Sequence, residues 1–140
     1  MPLTISAKIG DKQHTFLIDT GSSISLLPFD TAFSPILRPT GVKITNASGD
    51  SIKCHGEIDV DLGIKCLRRS FPWSFLVADV VRPILGTDFL ADKGLLVDCK
   101  RQLLIDPTTQ SNIYLHTSDT PVCSYTINYD SVDPSVQFLL

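Results

Sequence analysis

From Phe16 to Pro28 the sequence reads FLIDTGSSISLLP, with a single acidic residue, Asp19, in a run that is otherwise apolar or small. A carboxylate is rarely buried without a partner, because leaving water disfavours its charged form. The run contains no basic side chain to pair with it. Whatever fold the chain adopts must therefore place an acid against a core and find it a partner from elsewhere.

The flanking pattern is that of strands. Leu3, Ile5, Ala7 and Ile9 alternate with Thr4, Ser6 and Lys8, and a turn at Gly10 to Lys12 leads into HTFLI, which predicts a β-hairpin ending at Asp19. ISLLP predicts a short buried strand closed by Pro28. FDTAFSPILRPTG predicts a loop or short helical connection broken by Pro35, Pro39 and Gly41. VKITNASGDSIKCHGEIDVDLGI predicts a second, long hairpin turning at ASGD.

WSFLVADVVRPILG predicts a strand pair around Asp79, and TDFLADKG one short helix, with Thr87 or Asp88 capping its start and Gly94 ending it. LLVDC and LLID, joined through KRQ, predict a last hairpin. Beyond Pro107 the chain turns polar without clear periodicity and reads as a linker or partly ordered edge. The fold class is all-β: a small closed, barrel-like sheet with one short helix.

At 140 residues, 43% hydrophobic and 19% charged, the chain is sized for one globular domain. Its net charge is −3, and its densest basic pairs, Arg68-Arg69 and Lys100-Arg101, form no stripe, so no nucleic-acid partner is expected. PLTISAKIG lacks the apolar core of a signal peptide, and no run approaches the roughly 20 apolar residues of a membrane span. The expectation is a soluble, cytoplasmic protein without a membrane partner.

Cys54, Cys66, Cys99 and Cys123 match no common zinc spacing and are expected as free buried thiols in a reducing compartment. Two disulfides, or glycosylation at Asn46-Ala47-Ser48, would need an export route for which the sequence holds no signal. His14 and His55 lie in strands with no triad or metal spacing and are expected at the surface or as satisfied core residues.

Asp19-Thr20-Gly21 alone is a common turn tripeptide, with Gly21 allowing close backbone approach. Three features raise its weight. The turn is flanked by apolar residues on both sides. A turn-tipped hairpin follows that could fold over the carboxylate. Further on, two aliphatic residues, Ile84 and Leu85, precede Gly86 and the helix.

In this combination the chain resembles the retroviral-type aspartic peptidases, the retropepsins, and most closely those of Gypsy-type LTR retrotransposons. The resemblance covers residues 3–106 in order: LIDTGSS for the catalytic loop, NASGDSI for the flap, ILGTDFL for the hydrophobic-hydrophobic-glycine element and helix. It implies a domain over residues 1–106 with 107–140 as a tail or linker. It also implies one barrel-like lobe per chain, and a homodimer with the active site on its two-fold axis.

Pepsin-like relatives carry two such loops in one longer chain. Here FDTAF at Asp30 lacks the glycine and SDTPV at Asp119 has proline in its place, so neither is a second loop. The resemblance thus pairs Asp19 with Asp19 of a second copy. Two carboxylates about 3 Å apart cannot both ionise, so one acts as base on a water and the other as acid toward the peptide carbonyl. No metal, cofactor or covalent intermediate is required.

By the same resemblance Thr20 would cross-link the loops at the axis and Gly21 would offer its carbonyl to an extended substrate. Ser22, in place of the usual retroviral alanine, would donate its hydroxyl to Asp19 and favour the ionised form. Ala47, Ser48, Gly49 and Asp50 would form the flap tip, whose N–H groups bind the peptide. Asp50 departs from the glycine-rich retroviral tip.

Arg82, Pro83 and Ile84 would line the side-chain subsites, although Ile84 and Leu85 read equally well as core. The implied function is an endopeptidase acting on a Gag-Pol-type polyprotein, in the cytoplasm or within virus-like particles. The alternative is a non-proteolytic dimerisation or peptide-binding module.

Overall fold

The computed structural model describes residues 2–29, 36–117 and 125–128. Of the loop expected over 29–41, residues 30–35, Asp30 among them, lie outside these, as do Asp119 and Cys123. Strands β1 (Leu3–Ile9) and β2 (Lys12–Ile18) form the first hairpin, in full register from Leu3↔Ile18 to Ile9↔Lys12. There follow β3 (Leu26–Pro28), β4 (Lys43–Asn46), β5 (Ser51–Ile52), β6 (Cys54–Ile64), β7 (Ser70–Ala78) and β8 (Ile84–Leu85). Next come α1 (Thr87–Asp92), β9 (Leu96–Asp98), β10 (Leu103–Asp106), β11 (Ser111–Tyr114), β12 (His116–Thr117) and β13 (Tyr125–Asn128).

The main sheet runs β12-β1-β2-β8-β3-β7-β6, and β6 pairs back onto β1, so β1, β2, β8, β3, β7 and β6 close a six-stranded barrel. β1 divides its second edge. Ala7 to Ile9 pair with β6, while Leu3 and Thr4 pair with Thr117 and His116 of β12. The Thr4 hydroxyl adds a bond to the His116 carbonyl at 3.3 Å. The chain past Pro107 thus contributes β11 against β10 and β12 against β1.

Successive strand residues point to opposite faces, and around the barrel's centre both faces are covered. Phe16, Ile18, Leu27, Phe75, Val77 and Leu85 join one apolar cluster. Leu17, Leu26, Leu76, Ala78 and Ile84, which alternate with them, join a second. This explains the continuous apolar runs FLI, LL and IL, since strands buried on both sides have no polar face to alternate with. Each of the Leu, Ile, Val and Phe side chains among them contributes about 1.5–3 kcal/mol by leaving water.

The strands around Asp79 are β7 and β8, but they do not pair with each other. β8 runs parallel to β2 and antiparallel to β3, and β3 separates it from β7. The helix also differs at its start: its N-cap is Gly86, without a side-chain cap bond. Thr87, one expected cap, directs its hydroxyl at the Ser22 carbonyl, and Asp88, the other, takes bonds from Ser25 while its Oδ1 also accepts the first-turn N–H of Phe89 at 2.7 Å. Gly94 ends the helix with φ +66°, and its N–H donates to the Ala91 carbonyl at 3.1 Å.

Of the described cysteines none is in a disulfide. Cys54 is half-buried, and Cys66 and Cys99 are exposed because they fall in the turns after β6 and β9, not in the core as expected. His55 stacks on Phe29 and contacts the Asp79 carboxylate at 2.6 Å, while His14 meets the edge of Phe16. Among the described residues no helix is long and apolar enough to cross a membrane.

Candidate active site

Asp19 stands where β2 ends, and its backbone continues the parallel pairing with β8. The Leu17 N–H donates to the Pro83 carbonyl at 2.9 Å and the Asp19 N–H to the Leu85 carbonyl at 3.0 Å. A strand fixed on both faces and along this edge leaves the side chain little freedom. Asp19 is 6% exposed.

Its Oδ1 accepts the Gly21 N–H at 3.0 Å, and its Oδ2 is buried without a hydrogen-bond partner. Burial pushes the Asp19 carboxyl above its ordinary pKa, against the backbone N–H groups of Gly21 and Ser22, which pull it down. Among the described residues no Lys, Arg or His forms an ion pair with it. The neighbouring Thr20 and Gly21 face solvent.

Ser22 corrects the sequence expectation. It is fully buried, and its hydroxyl donates to the Ile24 carbonyl at 2.9 Å, so its one proton is not available to Asp19. The physical reason is the tight turn from Gly21 to Ser25, which needs a donor for an inward-facing carbonyl. Backbone N–H groups, not the hydroxyl, act on the acid.

The loop is held from below by the start of α1. Gly86 approaches so closely that a Cβ there would lie 2.5 Å from the Ile24 carbonyl oxygen and 2.7 Å from that of Ser22. The Thr87 N–H donates to the Ser22 carbonyl at 2.8 Å, and the Thr87 hydroxyl to the same atom at 3.3 Å. Ser25 donates its N–H to Asp88 Oδ2 at 3.0 Å and its hydroxyl to Asp88 Oδ1 at 2.6 Å, while accepting the Gly86 N–H at 2.9 Å.

Ser25 carries no signal of its own in the sequence, and Asp88 reads there only as a candidate helix cap. The available signal was a second acid, Asp88, set between the apolar pairs Ile84-Leu85 and Phe89-Leu90. Burial raises the Asp88 pKa, and the bonds from Ser25 and Phe89 work in the opposite direction.

The hairpin of β4 and β5 carries Ala47, Ser48, Gly49 and Asp50 at its exposed tip. Asn46 organises that tip: its side-chain oxygen accepts the Ser48 N–H at 3.0 Å and the Asp50 N–H at 2.9 Å. Its carbonyl accepts the Gly49 N–H at 3.0 Å, with Gly49 at φ +84°. Three of the tip's N–H groups are therefore bonded within the turn. The hairpin's base is anchored beside the loop, since Ile44 shares the cluster of Leu17, Ile24, Leu26 and Ile84.

Ile84 is 2% exposed within that cluster, on the core side of its two sequence readings. Pro83 and Arg82 are half-buried just before it. Among the described residues no group of His, Cys, Asp or Glu is arranged to hold a metal ion.

This architecture is retropepsin-like. The retroviral protease-like domain of Ddi1 from Leishmania major superposes with a TM-score of 0.67 over 85% of this chain and 97% of that one, at 16% sequence identity. EIAV protease complexed with the inhibitor HBY-793 is 28% identical, with a TM-score of 0.48 over 67% of this chain and 89% of that one. No family model matches the sequence, and no curated protein does. The match to the Ddi1 domain establishes the fold, a closed barrel with one short helix.

Proposed function

We propose that the chain is an aspartic endopeptidase that works as a homodimer, with the two Asp19 carboxylates forming the catalytic pair across the two-fold axis. The observation that carries this reading is the state of Asp19: buried, raised in pKa, one oxygen held by backbone and the other without a partner. An acid kept like this adds no stability to an isolated lobe, and it suits a group that must share a proton.

In the dimer the ionised Asp19 takes a proton from a water that attacks the peptide carbonyl, and the protonated Asp19 donates to the carbonyl oxygen. The Gly21 and Ser22 N–H groups favour the ionised form, whereas burial favours the neutral one. The pair thus divides its roles by sharing one proton. Thr20 and Gly21, exposed beside the acid, belong to the axis and the substrate floor. Ser22 supports the turn. Ala47, Ser48, Gly49 and Asp50 cover the site, and Arg82 and Pro83 border the side-chain subsites, with Ile84 as the apolar backing behind them.

The substrate is an extended segment of a Gag-Pol-type polyprotein of a Gypsy-type retrotransposon, as the sequence resemblance implies. The catalytic lobe is built on residues 1–106, and the segment 107–140 adds β11, β12 and β13 to its sheets. The chain is incubated with a random peptide library, with and without a pepstatin-type inhibitor, and products are read by mass spectrometry. Inhibitor-sensitive internal cleavage supports the peptidase. No cleavage by the dimeric chain favours the alternative, a non-proteolytic dimerisation or peptide-binding module.

A further inference from the structure

Strand β4 has two edges. β5 takes one of them, with Ile44↔Ile52 and Thr45↔Ser51. β13 takes the other along its whole length: Tyr125↔Asn46, Thr126↔Thr45, Ile127↔Ile44 and Asn128↔Lys43. Without β13 the hairpin would present an open edge, and a two-stranded hairpin with a free edge readily accepts another strand.

Strand addition is also how many proteins hold an extended peptide, through main-chain bonds to an exposed edge. The tip of this hairpin has little left to offer, since the N–H groups of Ser48, Gly49 and Asp50 are bonded to Asn46. Of the hairpin's two outer edges, that of β5 ends the sheet and is two residues long, so the main-chain groups best suited to a peptide lying along the hairpin are the four residues on the outer edge of β4. One edge holds one strand.

We propose that Tyr125–Asn128 is a built-in strap that occupies the peptide-docking edge of β4, so that an extended peptide must displace it. The consequence for turnover rests on the peptidase reading; the docking itself does not. As part of the same chain the strap acts at an effective concentration on the order of millimolar, so it competes well against a dilute peptide. A polyprotein segment held nearby would compete on more equal terms.

The test uses the full chain carrying Thr126→Pro and Ile127→Pro together. Neighbouring strand residues point their N–H groups to opposite edges, so one of the two prolines must remove a ladder donor. Amide hydrogen exchange at Lys43–Asn46 is compared with wild type. A free peptide with the sequence of residues 121–131, labelled for fluorescence anisotropy, is titrated into both chains.

The expected result is exchange at least tenfold faster at the outer β4 amides of the variant, restored by the free peptide. The peptide should bind the variant at least tenfold more tightly than wild type. A chain with Tyr125, Thr126, Ile127 and Asn128 all changed to Gly should behave the same way, which separates strap loss from a fold disturbed by proline. Where peptides are cleaved, KM should fall severalfold with kcat little changed. Equal exchange and equal peptide affinity in variant and wild type overturn the proposal. Absence of cleavage in every chain counts against the peptidase reading only, and exchange and binding then decide the strap.

Discussion

The Ser25 hydroxyl donates to Asp88 at 2.6 Å and the Ser25 N–H donates to the other carboxylate oxygen at 3.0 Å, joining the end of the Asp19 loop to the first turn of the helix. Both residues are buried. Removing the Ser25 hydroxyl takes one bond from Asp88 and leaves the buried Gly86 N–H without its acceptor, and removing Asp88 leaves the Ser25 N–H and hydroxyl without theirs, at about 1–3 kcal/mol in each case. Ser25→Ala and Asp88→Ala should each lower stability by that order. In a double-mutant cycle by urea denaturation they should be coupled by at least about 1 kcal/mol. Additive effects would show that the two act independently.

The Asp88 carboxyl also sets a pH dependence. Its folded pKa is raised by burial, so the folded chain binds that proton more tightly than the unfolded one. The stability this contributes is full below the unfolded pKa and is lost as pH rises through the folded pKa. The stability difference between wild type and Asp88→Asn, measured by denaturation from pH 3 to 7, should therefore shrink as pH rises. A difference that grows with pH would contradict burial as the dominant influence.

Ser22→Ala removes a bond to the Ile24 carbonyl, not to Asp19. It should cost about 1 kcal/mol of stability and leave the pH–rate profile where it is. Displacement of the alkaline limb by the variant would mean that the hydroxyl acts on the acid after all.

Gly86→Ala places a Cβ 2.5 Å from the Ile24 carbonyl oxygen, in backbone that has no flexible side chain to yield. The loop or the helix must shift, at a cost of about 1–3 kcal/mol. Because the shift falls on the turn that positions Asp19, peptide turnover should drop by more than the folded fraction does. Thermal denaturation and single-condition kinetics on the same sample separate the two. Turnover that merely follows the folded fraction would make Gly86 a packing residue.

The strands that alternate, β1 above all, and the ASGD turn were legible because their signals are local, but the long hairpin expected there is only β4 and β5, since β6 pairs with β7 and β1 instead. Asp19 was legible because an unpaired acid in an apolar run is an anomaly that needs no partner to be noticed. What the sequence hid is non-local. Ser25 and Asp88 lie 63 positions apart, and nothing near either names the other. The helix start differs because Thr87 and Asp88 fit a cap by residue type, while the cap position falls on Gly86, the Thr87 hydroxyl goes to the Ser22 carbonyl, and Asp88 is shared between Ser25 and the Phe89 N–H. The Ser22 hydroxyl had two acceptors within plausible reach, and only the turn geometry chooses Ile24. β8 is too short for periodicity to reveal that it lies between β2 and β3.

The central claim is that catalysis needs Asp19 from two chains, and subunit mixing tests it most directly. Wild type at fixed concentration is equilibrated with increasing amounts of Asp19→Asn chain, with cleavage of a library-derived peptide as the readout. Under freely exchanging, fully dimeric subunits, shown by mass spectrometry of isotopically distinguished chains, activity should fall in direct proportion to the wild-type fraction, because a mixed dimer has one acid and the wild-type chains are increasingly drawn into mixed dimers. Activity that stays proportional to the amount of wild type at every ratio would mean that each chain works alone, and would contradict the account.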